Sequence, residues 1–228
     1  MMVIKNARLR AVLRLLIPFV LIPSVVLVGL LFLEQRQHLL VTSAVVLLTL
    51  LLFLCGFERR AVGVRRQVLL AVMIALSVVG RFIPFFKPVT ALTVITGVYL
   101  GAESGFVVGA LSAVISNFYF GQGPWTPFQM LAWGLIGLLA GFLSRPLHRS
   151  RVAMLVYGVL SGVAYSAVMD VWTVLSYEGG FTWSLYTAAL VTALPHTVLY
   201  AVSNFIFLLL CERPFGEKLE RVKKKYGV

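Results

Sequence analysis

The sequence predicts an all-α membrane protein, a polytopic helical bundle of about eight transmembrane helices. Of its 228 residues, 60% are hydrophobic and only 12% are charged, and the mean hydropathy is +0.97. A soluble domain carries roughly 25% charged residues, so this composition excludes an ordinary soluble enzyme, a disordered tail and a secreted disulfide scaffold. At about 20 apolar residues per crossing, the chain has room for seven to nine spans and for no separate soluble domain.

The apolar runs predict eight helices, at about 11–33, 38–56, 67–84, 88–100, 104–119, 127–144, 152–176 and 184–211. The first two are expected to form a hairpin within residues 1–60, and the other six a bundle within 61–228. The run from Pro88 to Phe120 has one charge, Glu103, and as a single helix would be about 50 Å long, too long for a 30 Å hydrocarbon core. We therefore predict a break at residues 101–105, which leaves a short helix shielded by its neighbours.

The distribution of basic residues predicts the orientation, because Lys and Arg concentrate in short cytoplasmic loops. The net charge is +12, and its clusters lie between the apolar runs. Eight spans place 17 of the 20 basic residues on one side: Lys5, Arg8, Arg10, Arg14, Arg59, Arg60, Arg65, Arg66, Arg145, Arg149, Arg151, Arg213, Lys218, Arg221, Lys223, Lys224 and Lys225. Only Arg36, Arg81 and Lys87 fall on the other side. Both termini are therefore expected in the cytoplasm, with outer loops at about 34–38, 82–90, 119–127 and 176–184.

Catalytic and nucleotide-binding motifs are absent from the sequence. It contains no G-x-x-x-x-G-K-[ST], H-E-x-x-H, G-x-S-x-G or Cys-x-x-Cys pattern, so the chain is not expected to drive transport with its own ATP site. The ionisable residues within spans are Asp170, His196 and, near an outer end, Arg81. Such groups usually face a cavity or a partner. Asp170 and His196 would line a cup open to the outside, or would be an interfacial carboxylate and a packing histidine.

The loop FGQGPWTP at 120–127 points to a ligand pocket. Its glycines and prolines fix an irregular path, and Trp125, Gln129 and Trp133 follow at a spacing of four on one helical face. Aromatic walls with few polar groups suit a bulky or planar organic ligand, although an interfacial aromatic belt has a similar composition. Further candidate pocket residues are Asn117, Tyr119, Gln122, Tyr165 and Trp172. Arg81 and Lys87 would hold a carboxylate or phosphate, or would extend to the membrane interface.

Small residues repeat at a spacing of four on two of the predicted helices. Ala71 and Ala75 form an A-x-x-x-A pattern, and Gly101, Gly105 and Gly109 form a second series. Such faces allow helices to approach closely, either within the chain or against a partner.

Two segments carry a family resemblance. VLLAVMIALSVVGRF at 68–82 and TALTVITGVYLGAESGFVVGALSAVISNFYFGQGPWTPFQMLAWGLIGLLAG at 90–141 are similar to the S component, the substrate-binding membrane subunit of an energy-coupling factor (ECF) vitamin transporter. The resemblance covers about residues 67–212. The predicted hairpin within 1–60 is additional to the six-helix core of that family and puts the usual docking surface in question.

The resemblance implies a six-helix bundle that binds a vitamin or its precursor in an outward cup. It also implies two cytoplasmic ATPases and a membrane coupling protein that packs on the alanine motif, here Ala71 and Ala75. ATP hydrolysis by those partners would topple the S component and deliver the ligand inward, so no cofactor is expected in this chain. The GQGPWTP loop is most similar to S components for cobalamin or its precursors, although other vitamins also fit aromatic walls. A membrane-embedded enzyme using Asp170 and His196, and a secondary transporter or channel, remain alternatives.

Overall fold

The structure is a computed structural model that describes residues 7–32, 38–55, 60–84, 87–177 and 181–226. Within these ranges the chain forms α-helices, one π-helical segment and no strand, so it is the all-α bundle that the sequence predicts. Among the described residues, three helical segments are long and apolar enough to cross a membrane by length and composition: Arg8–Gly29, Arg151–Leu175 and Trp183–Tyr226. Shorter apolar helices pack among them, which is possible where neighbouring helices shield their ends from lipid.

The N-terminal part consists of α1 (Ala7–Leu16), a π-helical segment (Ile17–Leu21), α2 (Ile22–Phe32) and α3 (His38–Cys55). The wider π-helical turn contains Pro18 and is followed by Pro23 in α2, and each proline removes a backbone donor from the helix. The π-helical segment, α2 and α3 pack on the later helix Thr126–Phe142, and α3 also packs on the helix Ala102–Phe120. Ile17, Val26 and Val45 join the common core. Most of the predicted loop at 34–38 lies outside the described residues.

The remaining helices are α4 (Arg60–Gly80), α5 (Val89–Leu100), α6 (Ala102–Phe120), α7 (Thr126–Phe142), α8 (Ser144–Arg149), α9 (Arg151–Leu175) and α10 (Trp183–Tyr226). The predicted break between α5 and α6 is confirmed and is a single residue, Gly101. Its φ of 99° lies in a region that favours glycine. Gly105 and Gly109 belong instead to the contact between α6 and α7, where a Cβ atom would overlap the backbone of Gly137 or Trp133.

Three details of the predicted helices were wrong. Helix α4 begins at Arg60 rather than near 67, and Arg66 is held in the bundle by hydrogen bonds to Ser104 Oγ (2.9 Å) and Leu100 O (2.7 Å). A short helix, α8, connects α7 to α9. Helix α10 continues past residue 211 to Tyr226, a length of about 66 Å. Its last third is anchored by the buried Leu219.

Basic side chains concentrate at one end of the bundle, which we call the basic end. Arg66 reaches the α5–α6 break there, and Arg14 Nε lies 3.1 Å from Glu103 Oε1. Arg145 and Lys224 border the same cavity at this end. At the opposite end of the bundle, α4 and α6 end, and α5 and α7 begin.

Candidate ligand-binding site

A buried arginine forms the centre of a polar cluster at the opposite end. The Arg81 side chain is 8% exposed and donates hydrogen bonds from Nη1 to Ser116 Oγ and to Asn117 Oδ1, the latter at 2.8 Å. Its Nε is buried without a hydrogen-bond partner in the described part of the chain, and no described carboxylate pairs with it. A buried cation held only by neutral groups is costly, which indicates a site prepared for an acceptor from outside the chain.

Amide side chains extend the cluster from α6 to α7. Asn117 Nδ2 donates to Thr126 Oγ1 at 2.9 Å and to Gln129 Oε1 at 2.7 Å. Gln129 Nε2 in turn donates to the hydroxyl of Tyr165 at 3.2 Å. Gln122 caps this group, because its Oε1 accepts from Thr126 Oγ1 at 3.0 Å. With Arg81, which donates to Asn117, five side chains named by the sequence prediction are thus joined in one hydrogen-bonded network.

Aromatic rings form the wall beside this chain of amides. The rings of Trp133 and Tyr165 stack with centroids 4.6 Å apart and an interplanar angle of 11°. Tyr200 of α10 packs edge-on against Tyr165 at 5.3 Å, and Trp133 Nε1 donates to Thr90 Oγ1 at 3.1 Å. The guanidinium carbon of Arg81 lies 5.3 Å from the Trp133 ring centre. The wall therefore combines flat apolar surfaces with hydrogen-bonding edges.

Local sequence features place these side chains together. Gly121, with a φ of 103°, ends α6 and allows the chain to turn directly into α7. The close approach of α6 and α7 at their glycines brings Asn117 within reach of Gln129. Gly80 contributes similarly, since a Cβ atom there would overlap the ring of Pro88 and push α5 away from Arg81.

Lys87 adds a second positive charge near the cluster. Its backbone N–H donates to Ser203 Oγ at 3.0 Å, which ties the α4–α5 connection to α10. Partial burial lowers the pKa of the Lys87 ammonium, and the charge of Arg81 lowers it further. Arg81 at the centre of the cluster and Lys87 beside it give this end of the bundle two positive charges, which would attract electron-rich groups.

Other predicted pocket residues lie at the margin of the cluster. Tyr119 is 72% exposed and contacts Phe82 and Phe120, with ring centroids 4.6 and 5.1 Å away. This placement is typical of an interfacial aromatic belt. Trp125 lies over Gly123, where an added Cβ atom would overlap its ring. Trp172 is half-buried.

The two intramembrane ionisable residues proposed as a catalytic pair differ in their surroundings. Asp170 is buried on α9, and its Oδ2 has no hydrogen-bond partner among the described residues. His196 is exposed on α10, one residue after Pro195, and no hydrogen bond joins it to Asp170 in the described structure. Residues 181–200 of α10 are all exposed or half-buried, so the exposure of His196 is shared by this whole part of the helix, and its place in the cup stays a prediction.

Sequence reasoning missed four members of the cluster: Ser116, Thr126, Thr90 and Tyr200. Each is a polar side chain within an apolar helix or at its first turn, but Ser and Thr also occur there as backbone-bonded residues without a further role. For Ser116, the available signal was its position directly before Asn117.

Helix α4 presents the predicted partner motif on an open face. Ala71 and Ala75 are exposed, together with Val68, Val72 and Val79, which are 58%, 48% and 66% exposed. The opposite side of α4 packs on α5 and α6. A flat strip of small and β-branched side chains is suited to close packing with another membrane helix.

The family model described as ECF-type riboflavin transporter, S component, matches residues 62–213, about two thirds of the chain. Searches of the curated proteins and of the solved structures found no match. The matched region contains α4 from its first turn, the polar cluster and the exposed alanines, and begins after the N-terminal helices. The chain is a multi-pass membrane protein, and it belongs to the family of ECF-type riboflavin transporter S components.

Proposed function

We propose that this chain captures a small heteroaromatic vitamin at the Arg81 cluster and passes it inward as part of an ECF transporter. The observation that carries this proposal is a buried guanidinium with a free Nε, surrounded by neutral hydrogen-bonding groups and a stacked aromatic wall. A ligand with a flat ring and an electron-rich edge matches both features, because the ring stacks on the wall and the edge accepts from Arg81.

Riboflavin is the ligand we favour. The family description names it, and a flat, narrow ring system suits a site whose side chains already lie within hydrogen-bonding distance of one another. Cobalamin or a cobalamin precursor is the second candidate, on the resemblance of the GQGPWTP loop. A corrin ring is wider and would require the α6–α7 loop and Trp125 to move away from the cluster.

The partners would be a membrane coupling protein and two cytoplasmic ATPases. The exposed strip around Ala71 and Ala75 is the surface we assign to the coupling protein, since small side chains permit close helix packing. ATP would be bound and hydrolysed by the partners, and toppling of this chain would move the ligand across the membrane. We propose that the basic end faces the cytoplasm, which places the Arg81 cluster on the outside.

The test is a calorimetric titration of the purified, detergent-solubilised chain. Riboflavin, cobalamin and thiamine are titrated separately into protein whose helical content has been verified by circular dichroism. Saturable binding of riboflavin alone would support the proposal in full, and binding of cobalamin alone would support the second candidate. If folded protein binds none of the three, capture of these vitamins at this cluster is wrong.

An enzymatic role has less support. The pair required for it, Asp170 and His196, is divided between a buried and an exposed position. The family that the chain belongs to is a family of transporter components. Incubating the purified chain with riboflavin and analysing the products by mass spectrometry would detect a reaction if one occurred.

A further inference from the structure

A cavity at the basic end is separate from the Arg81 cluster. It has a volume of about 500 Å³ and lies between α5, α8 and the last third of α10. Its lining is Val98, Tyr99, Ser144, Arg145, His148, Glu220, Lys223 and Lys224. Three of these side chains are permanent cations and one is a carboxylate, so the cavity has a positive balance.

Contacts across the cavity hold its walls in place. Lys223 Nζ donates to the carbonyl of Tyr99 at 3.3 Å, and the Tyr99 hydroxyl donates to Glu212 Oε1 at 2.5 Å. His148 Nε2 lies 3.4 Å from Glu220 Oε1, and its ring packs edge-on against Tyr99 at 5.2 Å. Glu220, the one carboxylate of the lining, thus contacts His148. Arg145 and Lys224 border the cavity without an ion pair in the described part of the chain.

We infer that this cavity binds a phosphate group, and that its source is the headgroup of an anionic phospholipid. Arginine and lysine are the side chains that recognise phosphate, and the hydroxyl of Ser144 supplies a further donor. Helix α8 joins the ends of two membrane helices, so the cavity lies at the depth of lipid phosphates. Basic pockets in this position bind anionic headgroups.

The apolar surface beside the cavity favours a lipid headgroup over a free anion as the ligand. Leu139, Phe142 and Leu143 at the end of α7 are 42%, 52% and 44% exposed, and Leu143 directly precedes Ser144 of the cavity. Val152 at the start of α9 is 70% exposed. Acyl chains attached to a bound headgroup would therefore find an apolar surface on either side of α8.

The test compares lipid binding by two double variants of the full chain. Arg145→Gln with Lys224→Gln removes one cavity cation from α8 and one from α10. Arg149→Gln with Lys218→Gln removes the same charge from the same two helices outside the cavity lining. Retention of lipid is measured by native mass spectrometry after purification from nanodiscs of phosphatidylcholine containing a fraction of phosphatidylglycerol.

We expect the wild type and the Arg149/Lys218 variant to retain phosphatidylglycerol over phosphatidylcholine. The Arg145/Lys224 variant should bind it roughly 30-fold more weakly, because each basic residue near a charged membrane surface contributes about a factor of five. Equal losses in both variants would mean a general surface-charge effect and would overturn the inference. Displacement of the lipid by millimolar inorganic phosphate would assign the cavity to a free anion and overturn the lipid source. Circular dichroism verifies that both variants fold.

Discussion

Replacing Arg81 by methionine should lower ligand affinity without lowering stability. A hydrogen bond to a charged group contributes about 1.5–3 kcal/mol, so removing the guanidinium should weaken riboflavin binding roughly 10- to 150-fold. Stability responds differently, because Arg81 is a buried cation without a described carboxylate partner. Its removal ends a desolvation cost and leaves Asn117 Oδ1 as the principal acceptor that loses its donor. Ser116 Oγ still donates to Ser112 O at 2.5 Å.

The two contributions to stability therefore nearly cancel. An unsatisfied acceptor costs about 1–3 kcal/mol, and burying an unpaired charge costs at least as much. We expect the melting temperature of the Arg81→Met variant in detergent to lie within a few degrees of wild type or above it. The affinity is measured by calorimetric titration and the melting temperature by circular dichroism on the same preparation.

Arg66→Met on the same helix is the matched control. Arg66 is a half-buried arginine, but it lies at the basic end and donates to Leu100 O and Ser104 Oγ. Its loss should lower the melting temperature and leave riboflavin affinity unchanged. The reasoning about Arg81 is refuted if Arg81→Met binds riboflavin with wild-type affinity, or if both variants lose affinity to the same extent.

Three further outcomes follow from the structure. Ala71→Trp should abolish vitamin uptake by cells while sparing ligand binding, whereas Ala164→Trp, on an exposed face of α9, should spare both. Normal uptake by Ala71→Trp would show that α4 is not the docking surface. Gln129→Ala should weaken riboflavin binding about tenfold, because it breaks the hydrogen bonds that link Asn117 to Tyr165. Gln67→Ala at the basic end should leave the affinity unchanged, and calorimetric titration measures both. Gly105→Leu should lower the melting temperature by several degrees, because its side chain would overlap the backbone of α7, and an unchanged melting temperature would contradict that packing.

The helical architecture was largely predictable because hydropathy and length constrain it strongly. Glu103 lies in the predicted break, and the excessive length of an uninterrupted helix located the turn at Gly101. The extension of α10 was not predictable, because its polar tail has no apolar periodicity of a membrane span. Tertiary contacts hold this polar tail instead. The carbonyl of Tyr99 accepts a hydrogen bond from Lys223, and the Tyr99 hydroxyl donates one to Glu212.

The candidate site was partly predictable for a related reason. Polar side chains in apolar helices are few, so Asn117, Gln129 and Tyr165 could be singled out before their contacts were known. The same reasoning placed His196 in the cup, which stays a prediction, since the structure shows His196 exposed on α10. Sequence gives the spacing of residues on a helix but not the rotation of that helix in the bundle. For Arg81 the sequence left two placements open, a ligand-binding position and the membrane interface, and the structure shows that the side chain is buried.

The N-terminal helices raise the question of whether they obstruct the surface assigned to the coupling protein. Helix α3 packs on α6 and α7, and the Arg14–Glu103 ion pair fixes α1 beside the start of α6. In the described residues, Ala71 and Ala75 face away from these contacts and remain exposed with Val68 and Val72. The additional helices therefore enlarge the side of the bundle that α6 and α7 form and leave the alanine strip of α4 open. If an ECF module docks on this strip, the N-terminal helices would move together with the rest of the chain as it topples.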